Sequence, residues 1–254
     1  MLEESTPLIG CAGWSIASAQ KASFPLAGSH LERYGAVLPA VEINSSFYRS
    51  HRPETYQRWG DSVPENFRFS VKVPRTITHH QRLQNVAPLI EGFVQEVHEL
   101  GNKLGCLLVQ LPPSLRFDPP TVHAFFANLT QQTSAPVVCE ARHRSWFMPA
   151  ANQLLQEFGI SQVIADPPVA PCEELFTGAK TVYVRLHGSP EMYHSAYSEE
   201  YLSQLENELR QYQAQGKTAW CIFDNTASGA AMPNALSLLA RFKRKNAADV
   251  KVRA

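Results

Sequence analysis

Short apolar runs alternate with amphipathic segments along almost the whole chain, and this alternation restricts the fold more than any other feature. Each apolar run has the length and residue content of a buried strand, and a segment of helical periodicity follows nearly every one. The segment after the sixth run, 171–178, is long enough for only one turn of helix. Eight strands alternating with helices in 254 residues predict an α/β fold, a (β/α)8 barrel of the TIM type. The predicted strands are 8–14, 40–48, 68–74, 104–113, 136–143, 161–168, 181–188 and 218–225.

A doubly wound open sheet is the main alternative to this barrel. Such sheets usually have about five to seven strands and a glycine-rich phosphate-binding loop after the first strand, and the sequence has no loop of that kind. No linker rich in glycine or serine divides the chain. We therefore predict a single domain over residues 1–254, with its core at about 8–242 and a basic tail at 243–254.

Charge and cysteine content narrow the class of protein. Basic and acidic residues number 23 each, so no net charge favours nucleic acid, a membrane or an acidic partner. No apolar run approaches the ~18 residues of a membrane span, and the acidic start of the chain lacks the apolar stretch of a signal peptide. The five cysteines form no CxxC pair and lie mostly in apolar runs, which indicates reduced thiols in a cytoplasmic protein.

Polar side chains occur near the carboxyl end of every predicted strand after the first. In a TIM-type barrel those strand ends, together with the loops that follow them, form the active site. Residues two apart on a strand point to the same face, so pairs with that spacing indicate an inward polar cluster. The pairs are Glu42 with Asn44, Glu140 with Arg142, and Arg185 with His187.

The catalytic candidates come from the acids, bases and amines of these strand ends. Glu140 and His187 are predicted to act as an acid/base pair, with Glu42 as a further carboxylate and His79 as a second histidine that titrates near pH ~6.5. Lys72 is also a candidate, but we expect it to be a paired cation or an anion ligand in preference to a Schiff-base nucleophile. The alternative for Glu140, with Arg185 or Lys72, is a structural layer of internal ion pairs, and the alternative for His187 is a hydrogen-bonded core histidine.

An anion site is predicted from the cations and from two loops. Lys72, Arg75, Arg142 and Arg185 share the barrel mouth. The loops after strands seven and eight are the frequent phosphate site of such barrels, and a Ser-Gly turn there leaves free N–H groups at the start of the last helix. An ordinary helix cap would explain the same turn. The predicted loop ligands are Gly188, Asn225, Ser228 and Gly229.

A divalent metal is the one cofactor considered, and the cofactor otherwise stays open. The carboxylates and histidines are of the kind that bind divalent ions, and Asp224 adds an acid whose side of the strand the sequence does not fix. However, the cations share this space, and neither an HxH nor an HExxH spacing is present. We therefore assign no metal ligand.

Aromatic residues cluster near the same strand ends: Trp14, Phe47, Tyr48, Trp146, Phe147 and Tyr183. They could stack on a sugar or a base, and Tyr48 and Trp146 are the predicted ligand contacts among them. Packing of loops over the barrel is the alternative.

Seven motifs, in this order, resemble the YecE-like family, also called domain of unknown function 72: GCAGWS (10–15), VEINSSFYR (41–49), FRFSVKVPRTITH (67–79), LVQLPPS (108–114), CEARHRSW (139–146), YVRLHG (183–188) and FDNTASGAAMPNALSL (223–238). The resemblance covers roughly residues 8–242. It implies a TIM-type barrel with a site at the carboxyl ends of the strands, and it implies no reaction. The matching positions are Glu42, Asn44, Tyr48, Lys72, His79, Glu140, Arg142, Trp146, Arg185, His187, Gly188, Asn225 and Gly229.

The residues thus favour an enzyme that acts by acid/base chemistry on a small anionic or sugar-like substrate, phosphorylated or not. A metal-dependent hydrolase acting on nucleic acid or nucleotides is the first alternative, although nucleic acid is not the favoured partner and no membrane partner is expected. A ligand-binding barrel without catalysis is the second.

Overall fold

The structure, a computed structural model, describes residues 6–171, 175–176 and 179–252, and of 245–252 only the backbone. All eight predicted strands are present at the predicted places. Several end a few residues earlier than expected, and the sixth is divided at Val163. The strands are β1 (Leu8–Cys11), β2 (Ala40–Ile43), β3 (Arg68–Lys72), β4 (Leu104–Gln110), β5 (Val137–Glu140), β6 (Ser161–Gln162), β7 (Ile164–Asp166), β8 (Thr181–Leu186) and β9 (Thr218–Phe223).

Helices follow the strands and cover the outside of the barrel. The helix expected at 171–178 lies largely outside the described residues. None of the described helices combines the length and the hydropathy needed to span a membrane. The α-helices in the described ranges are α1 (His30–Gly35), α2 (Pro53–Asp61), α3 (Ala87–His98), α4 (Pro119–Gln132), α5 (Pro149–Glu157), α6 (Glu199–Ala214) and α7 (Ala231–Val252), with shorter helical turns at Ser18–Ser23, Ser45–Phe47, Thr76–His80, Gly101–Lys103 and Arg144–Phe147.

The strands pair in parallel and follow one another around a ring. One sheet has the order β1-β9-β8-β7 and the other the order β2-β3-β4-β5-β6. The sheets meet on one side where Ala12 bridges to Glu42, and on the other where β6 and β7 flank Val163. The strand order therefore confirms the (β/α)8 barrel of the TIM type, since consecutive strands are neighbours and, apart from the partly described connection between β7 and β8, each crossover contains a helix.

Two apolar clusters separate the inside of the barrel from the layer beneath the helices. The larger lies between the strands and the helices, and the smaller fills the barrel below the polar strand ends. Tyr183, which the sequence suggested for the rim, belongs to this interior, where its ring stacks on Trp220 at 5.8 Å between centroids. The inner cluster comprises Ala40, Cys106, Leu108, Val138, Val163, Tyr183, Trp220 and Ile222.

The cysteines in the described residues are free and buried, in agreement with the reduced thiols expected. Burial raises the pKa of the Cys11 thiol to about 12, and the other described thiols are shifted in the same direction for the same reason. Such thiols stay protonated and behave as small apolar side chains. These residues are Cys11, Cys106, Cys139 and Cys221, while Cys172 lies outside the described residues.

A tyrosine of α1 joins the first two strands where the two sheets meet. The Tyr34 hydroxyl accepts from Cys11 N at 2.9 Å and donates to Ala40 O at 2.8 Å, and the side chain is fully buried. Tyr34→Phe is expected to lower the free energy of unfolding by about 2 kcal/mol, because it leaves buried backbone groups without this partner. Urea unfolding of the variant measures the loss. Tyr48→Phe, at a side chain 61% exposed, is the control and should change stability by less than ~0.5 kcal/mol; equal losses would contradict the role given to the Tyr34 hydroxyl.

Candidate functional site

A guanidinium in the middle of the barrel organises the candidate site. Arg185, on β8, is 1% exposed. Its Nε and Nη2 atoms donate to the two carboxylate oxygens of Glu42 at 2.9 and 2.8 Å. Nη1 donates to Glu140 Oε2 at 3.1 Å, and Nη2 lies 3.0 Å from Asp224 Oδ2. Carboxylates from β2, from β5 and from the end of β9 therefore converge on one cation.

His187 lies two residues beyond Arg185, on the same face of the chain. Its Nε2 atom is 2.8 Å from Glu140 Oε1 and its Nδ1 atom is 3.0 Å from Asp224 Oδ2. Arg142 Nη2 donates to the same Glu140 oxygen at 2.6 Å and lies 2.8 Å from His187 Nε2. In the imidazolium, both ring N–H groups donate to carboxylates; in the neutral ring protonated at Nδ1, Nε2 accepts from Arg142. The structure thus brings Glu140 and His187 into direct contact.

These ion pairs determine the charge of their members. Burial would raise the pKa of the Glu140 carboxyl, but Arg185, His187 and Arg142 together outweigh it and hold that pKa well below its usual range. The pKa of Asp224 is lowered in the same way, by Arg185 and then His187 against the effect of burial. Burial would lower the pKa of His187, yet its hydrogen bonds to Asp224 and Glu140 raise it. Near neutral pH both acids are therefore ionised, and the same two carboxylates stabilise the imidazolium of His187.

A second polar layer lies directly below Arg185. The Tyr183 hydroxyl is 2.9 Å from Glu42 Oε2 and 2.9 Å from Ser70 Oγ. A phenol has a single proton, so one of these contacts is a hydrogen bond that Tyr183 donates and the other is one that it accepts. An ionised Glu42 can only accept, which makes the Ser70 hydroxyl the donor to Tyr183. This layer fixes the Glu42 carboxylate from below.

Lys72 differs from every other charged group of this cluster. The side chain is 5% exposed, and no described carboxylate lies within ion-pair distance of Nζ. Nζ instead lies 4.2 Å from the centroid of the Phe47 ring. Burial first and then Arg185 lower the pKa of the Lys72 amine to about 8, against the opposite effect of the three carboxylates. The expectation of a paired cation is therefore wrong for the described residues.

The rim of the mouth is formed by β2 and β3 and by the turns after them. The His79 ring packs edge-on against Phe47 at 4.9 Å between centroids, and its Nδ1 is 2.8 Å from Thr78 Oγ1. Burial, and then the charge of Lys72, lower the pKa of His79. Arg75 is exposed, with its guanidinium 5.7 Å from the centroid of the exposed Tyr48 ring. His79, Phe47 and Lys72 thus form one continuous wall.

Two buried amide oxygens at the strand ends have no hydrogen-bond partner among the described residues. These are Asn44 Oδ1, just after β2, and Asn225 Oδ1, two residues beyond β9. The Asn225 amide nitrogen is occupied, because it donates to Ser195 O and Asn234 Oδ1. Arg142 Nε is a buried donor without an acceptor. Groups of this kind are rare unless a ligand or water satisfies them.

The loops after β8 and β9 are tied to each other, which changes the predicted anion site. The Ser228 hydroxyl donates to His194 O at 2.5 Å, and Ala231 N at the start of α7 donates to Asn225 O at 3.1 Å. Gly188, at φ +96°, packs close to Ser195 O, and Gly229 takes a turn at φ +79°. Ser228 and Gly229 therefore serve the loop connection in this structure, and at least one N–H of the helix start is already used.

Trp146 lies in the packing of the loops, which corrects its placement as a ligand contact. The side chain is fully buried, its Nε1–H donates to Leu115 O at 2.9 Å, and its ring packs on Phe117. With both its face and its polar group occupied by protein, the indole presents nothing to a ligand. Phe147 is buried as well, so Phe47 and Tyr48 supply the accessible rings of the rim.

Asp224 and Ser70 belong to the site although the sequence did not assign them to it. Asp224 follows Trp220 and Ile222 at intervals of two, and both of these belong to the inner cluster. Ser70 lies two residues before Lys72 on β3. The period of two along each strand could have indicated both residues. Which side of β9 faces inward, however, followed only from the packing of Trp220 and Ile222 in the structure.

Any metal would compete with guanidinium groups for the same oxygens. In the part of the chain that the structure describes, no three His, Cys, Asp or Glu side chains are grouped so as to hold a metal ion. The carboxylates of Glu42 and Glu140 accept from Arg185, and that of Asp224 forms an ion pair with it. The donor set therefore favours a site where the available groups are cationic, namely Lys72 and Arg142.

Comparison with known proteins identifies relatives over the full length of the barrel. A family described as "Protein of unknown function DUF72" matches residues 8–253. The UPF0759 protein YunF of Bacillus subtilis is 24% identical over 261 residues, which cover 91% of this chain and 93% of YunF. The UPF0759 protein YecE of Escherichia coli O157:H7 is 31% identical over 144 residues, 54% of this chain and 52% of YecE.

A solved structure shows the same fold. The crystal structure of a DUF72 family protein from Thermotoga maritima superimposes with a TM-score of 0.77 at 24% identity, and covers 94% of this chain and 100% of that one. The likeness supports the barrel architecture. None of the descriptions of these relatives names a reaction.

Proposed function

This chain belongs to the DUF72 family, and we propose that it is an enzyme whose barrel mouth binds a small anionic, hydroxylated substrate and transfers a proton to or from it. The observation that supports this most directly is Lys72, a nearly buried cation for which the described residues provide no counter-ion. A buried charge is costly unless it is paired, and a substrate anion would complete the pair.

The balance of charge in the mouth favours an anion. Lys72, Arg142 and Arg185 give three positive charges, Glu42, Glu140 and Asp224 give three negative ones, and the raised pKa of His187 adds positive charge whenever its ring is protonated. The carboxylates are engaged by guanidinium or imidazole groups, so the unsatisfied capacity is on the cationic side. Arg75 at the rim adds to this field at the entrance.

The proposal changes the roles of the predicted residues. Glu140 and His187 are 1% and 0% exposed and are fully engaged with other side chains, so we assign them to positioning and to the charge around the amine. Lys72 and His79, whose pKa values are both lowered, are the groups at the open end that can exchange a proton near neutral pH. Arg142 and Lys72 would bind the anionic group.

Hydroxyl groups on the substrate would meet the unsatisfied acceptors. Asn44 Oδ1 and Asn225 Oδ1 need donors, which a hydroxylated substrate supplies and a simple carboxylic acid does not. Sugar phosphates and hydroxy acids combine such donors with an anion. We assign the enzyme to the cytoplasm, where its free buried thiols stay reduced.

The other two functions have weaker support. A metal-dependent hydrolase would need carboxylates that are free to bind the ion, and those of this site accept from guanidinium groups. A ligand-binding barrel without catalysis would use the same anion site, and nothing at the site favours it over an enzyme. A ligand that co-purifies with the protein but stays chemically unchanged on prolonged incubation would decide for the binding protein.

Anion binding tests the proposal through Lys72. Titration calorimetry at fixed ionic strength is expected to show binding of glycerol 3-phosphate, and Lys72→Met should weaken it at least tenfold, about 1.4 kcal/mol, because a charge-assisted contact is lost. Lys21→Met, at an exposed lysine, is the matched control and should bind as the parent does. Equal binding by the parent and Lys72→Met, with thermal unfolding showing both folded, would refute the proposal.

A further inference from the structure

Two lysines of the described barrel are largely buried, and the protein surrounds their amines with different groups. Lys103 Nζ donates to Gly60 O at 2.8 Å and to Val63 O at 2.9 Å, and lies 3.8 Å from a Glu65 oxygen. An ammonium has three N–H donors, and at Lys103 two carbonyl acceptors and a carboxylate lie beside them. Among the described residues, Lys72 Nζ has no hydrogen-bond acceptor or ion-pair partner and lies 4.2 Å from the centroid of the Phe47 ring. The protein therefore supports a charged amine at one position and leaves the other poorly solvated.

The neighbours of Lys72 keep the carboxylates away from it. Arg185 contacts Glu42, Glu140 and Asp224, the acids that could otherwise pair with the amine. Arg142 takes a further Glu140 contact. The amine thus lies near acids that are held in ion pairs with guanidinium groups, and near the positive charge of Arg185. Burial next to other cations is the arrangement that leaves a lysine neutral and nucleophilic.

We propose that Lys72 is a nucleophile that forms an iminium with a carbonyl compound bearing a carboxylate or phosphate group. This rests on the proposed function, since the same mouth would hold the anionic group of that compound. It adds a covalent step to it. Aldehydes, ketones and 2-oxo acids with hydroxyl substituents are the substrate class.

Iminium formation starts from the neutral Lys72 amine. The Lys72 nitrogen adds to the carbonyl carbon, a C–N bond forms, and the electron pair of the C=O π bond moves to oxygen, which takes a proton. The nitrogen loses one proton, the carbinolamine hydroxyl leaves as water after it gains another, and the nitrogen lone pair forms C=N. The net reaction consumes one amine, one carbonyl and one proton, and yields one iminium and one water. No oxidant or reductant is needed.

Reductive trapping tests this step in the intact protein. Pyridoxal 5′-phosphate, below one equivalent, and in a second arm pyruvate, are added at pH 7.5 with sodium cyanoborohydride, which supplies the hydride that reduces the iminium. Peptide mass mapping then locates the secondary amine. With an amine pKa of about 8 for Lys72, roughly a quarter is neutral at that pH, against about 0.1% of an ordinary lysine near 10.4.

Lys72 is therefore expected to be labelled at least tenfold faster than the exposed Lys21 in the same digest. The pH profile of its labelling should level off above about 8. The charged and titratable groups that act on this amine are Arg185, Glu42, Glu140, Asp224 and His79. Lys72→Arg should abolish the label and leave labelling of Lys21 unchanged. Because the ratio is measured in the parent protein, it does not depend on how the variant folds.

Labelling tests the Lys72 nucleophile, and binding of glycerol 3-phosphate tests the anion site on which it rests, so the two can fail separately. Labelling that is no faster at Lys72 than at Lys21 overturns the nucleophile, and the function stands if glycerol 3-phosphate still binds in a Lys72-dependent way. Fast labelling of Lys72 that inorganic phosphate suppresses supports both. Fast labelling that neither phosphate nor glycerol 3-phosphate affects supports the nucleophile and overturns anion binding.

Discussion

Arg185→Met is expected to lower the free energy of unfolding by about 3 to 5 kcal/mol, the largest loss of any single substitution proposed for this protein. Arg185 is 1% exposed and forms ion pairs with three carboxylates that are themselves buried or nearly so. Removal of the guanidinium leaves those acids without their main cation. For a domain of this size the loss corresponds to a fall in Tm on the order of 10 °C, which differential scanning calorimetry measures directly.

The same change at an exposed arginine provides the control. Arg58, in α2, is exposed, and Arg58→Met should alter the unfolding free energy by less than ~0.5 kcal/mol. Arg185→Met should also raise the pKa of the Lys72 amine, since Arg185 lowers that pKa and the three carboxylates raise it. The pH profile of Lys72 labelling then moves to higher pH. A loss of stability below ~1 kcal/mol would show that the ion pairs around Arg185 contribute little.

Gly10→Ala is expected to cost about 3 kcal/mol or more, since it places a methyl group against backbone rather than a movable side chain. A Cβ at Gly10 would lie 2.0 Å from Ala40 O and 3.0 Å from the Tyr34 hydroxyl oxygen. The two strands involved, β1 and β2, join the two sheets of the barrel. Separating them to fit the methyl group would also disturb the hydrogen bonds of Tyr34. Equilibrium urea unfolding gives the change.

Gly92→Ala is the matched control, with an expected effect of opposite sign. Gly92 lies within α3, and a Cβ there would have no heavy atom within 4 Å. Alanine stabilises a helix over glycine by about 0.5 to 1 kcal/mol. The same change, glycine to alanine, is therefore expected to destabilise the protein at a close backbone contact and to stabilise it within a helix. If both variants were stabilised, the close approach of β1 to β2 would not constrain the barrel.

The ion pairs and the free amine belong to one arrangement. The sequence left open whether the inward charges form a structural layer or a catalytic site, and the structure supports a division between them. Arg185 with its three acids has the contacts of a structural layer. Lys72, on β3, takes no part in those contacts. Because Arg185 engages the three acids, the Lys72 amine has no carboxylate partner among the described residues.

Local patterns were sufficient to predict the strands and the residues at their ends. A period of two and the content of branched side chains depend only on neighbours in the chain, so eight strands and the inward direction of Glu42, Glu140, Arg185 and His187 followed from spacing. Trp146 was placed wrongly because an aromatic residue near a strand end looks the same whether it faces a ligand or packs beneath a loop.

The pairing of the charges depended on closure of the barrel. Arg185 and Glu42 are 143 residues apart in the chain, and no local pattern indicates which of several acids a given cation will contact. Competition decides the outcome: the guanidinium, with five N–H donors, engages all three carboxylates, and the ammonium of Lys72 is left with an aromatic face. Spacing therefore predicted which charged groups meet at the mouth, whereas the distances across the closed ring decided that the buried amine of Lys72 has no ion-pair partner among the described residues.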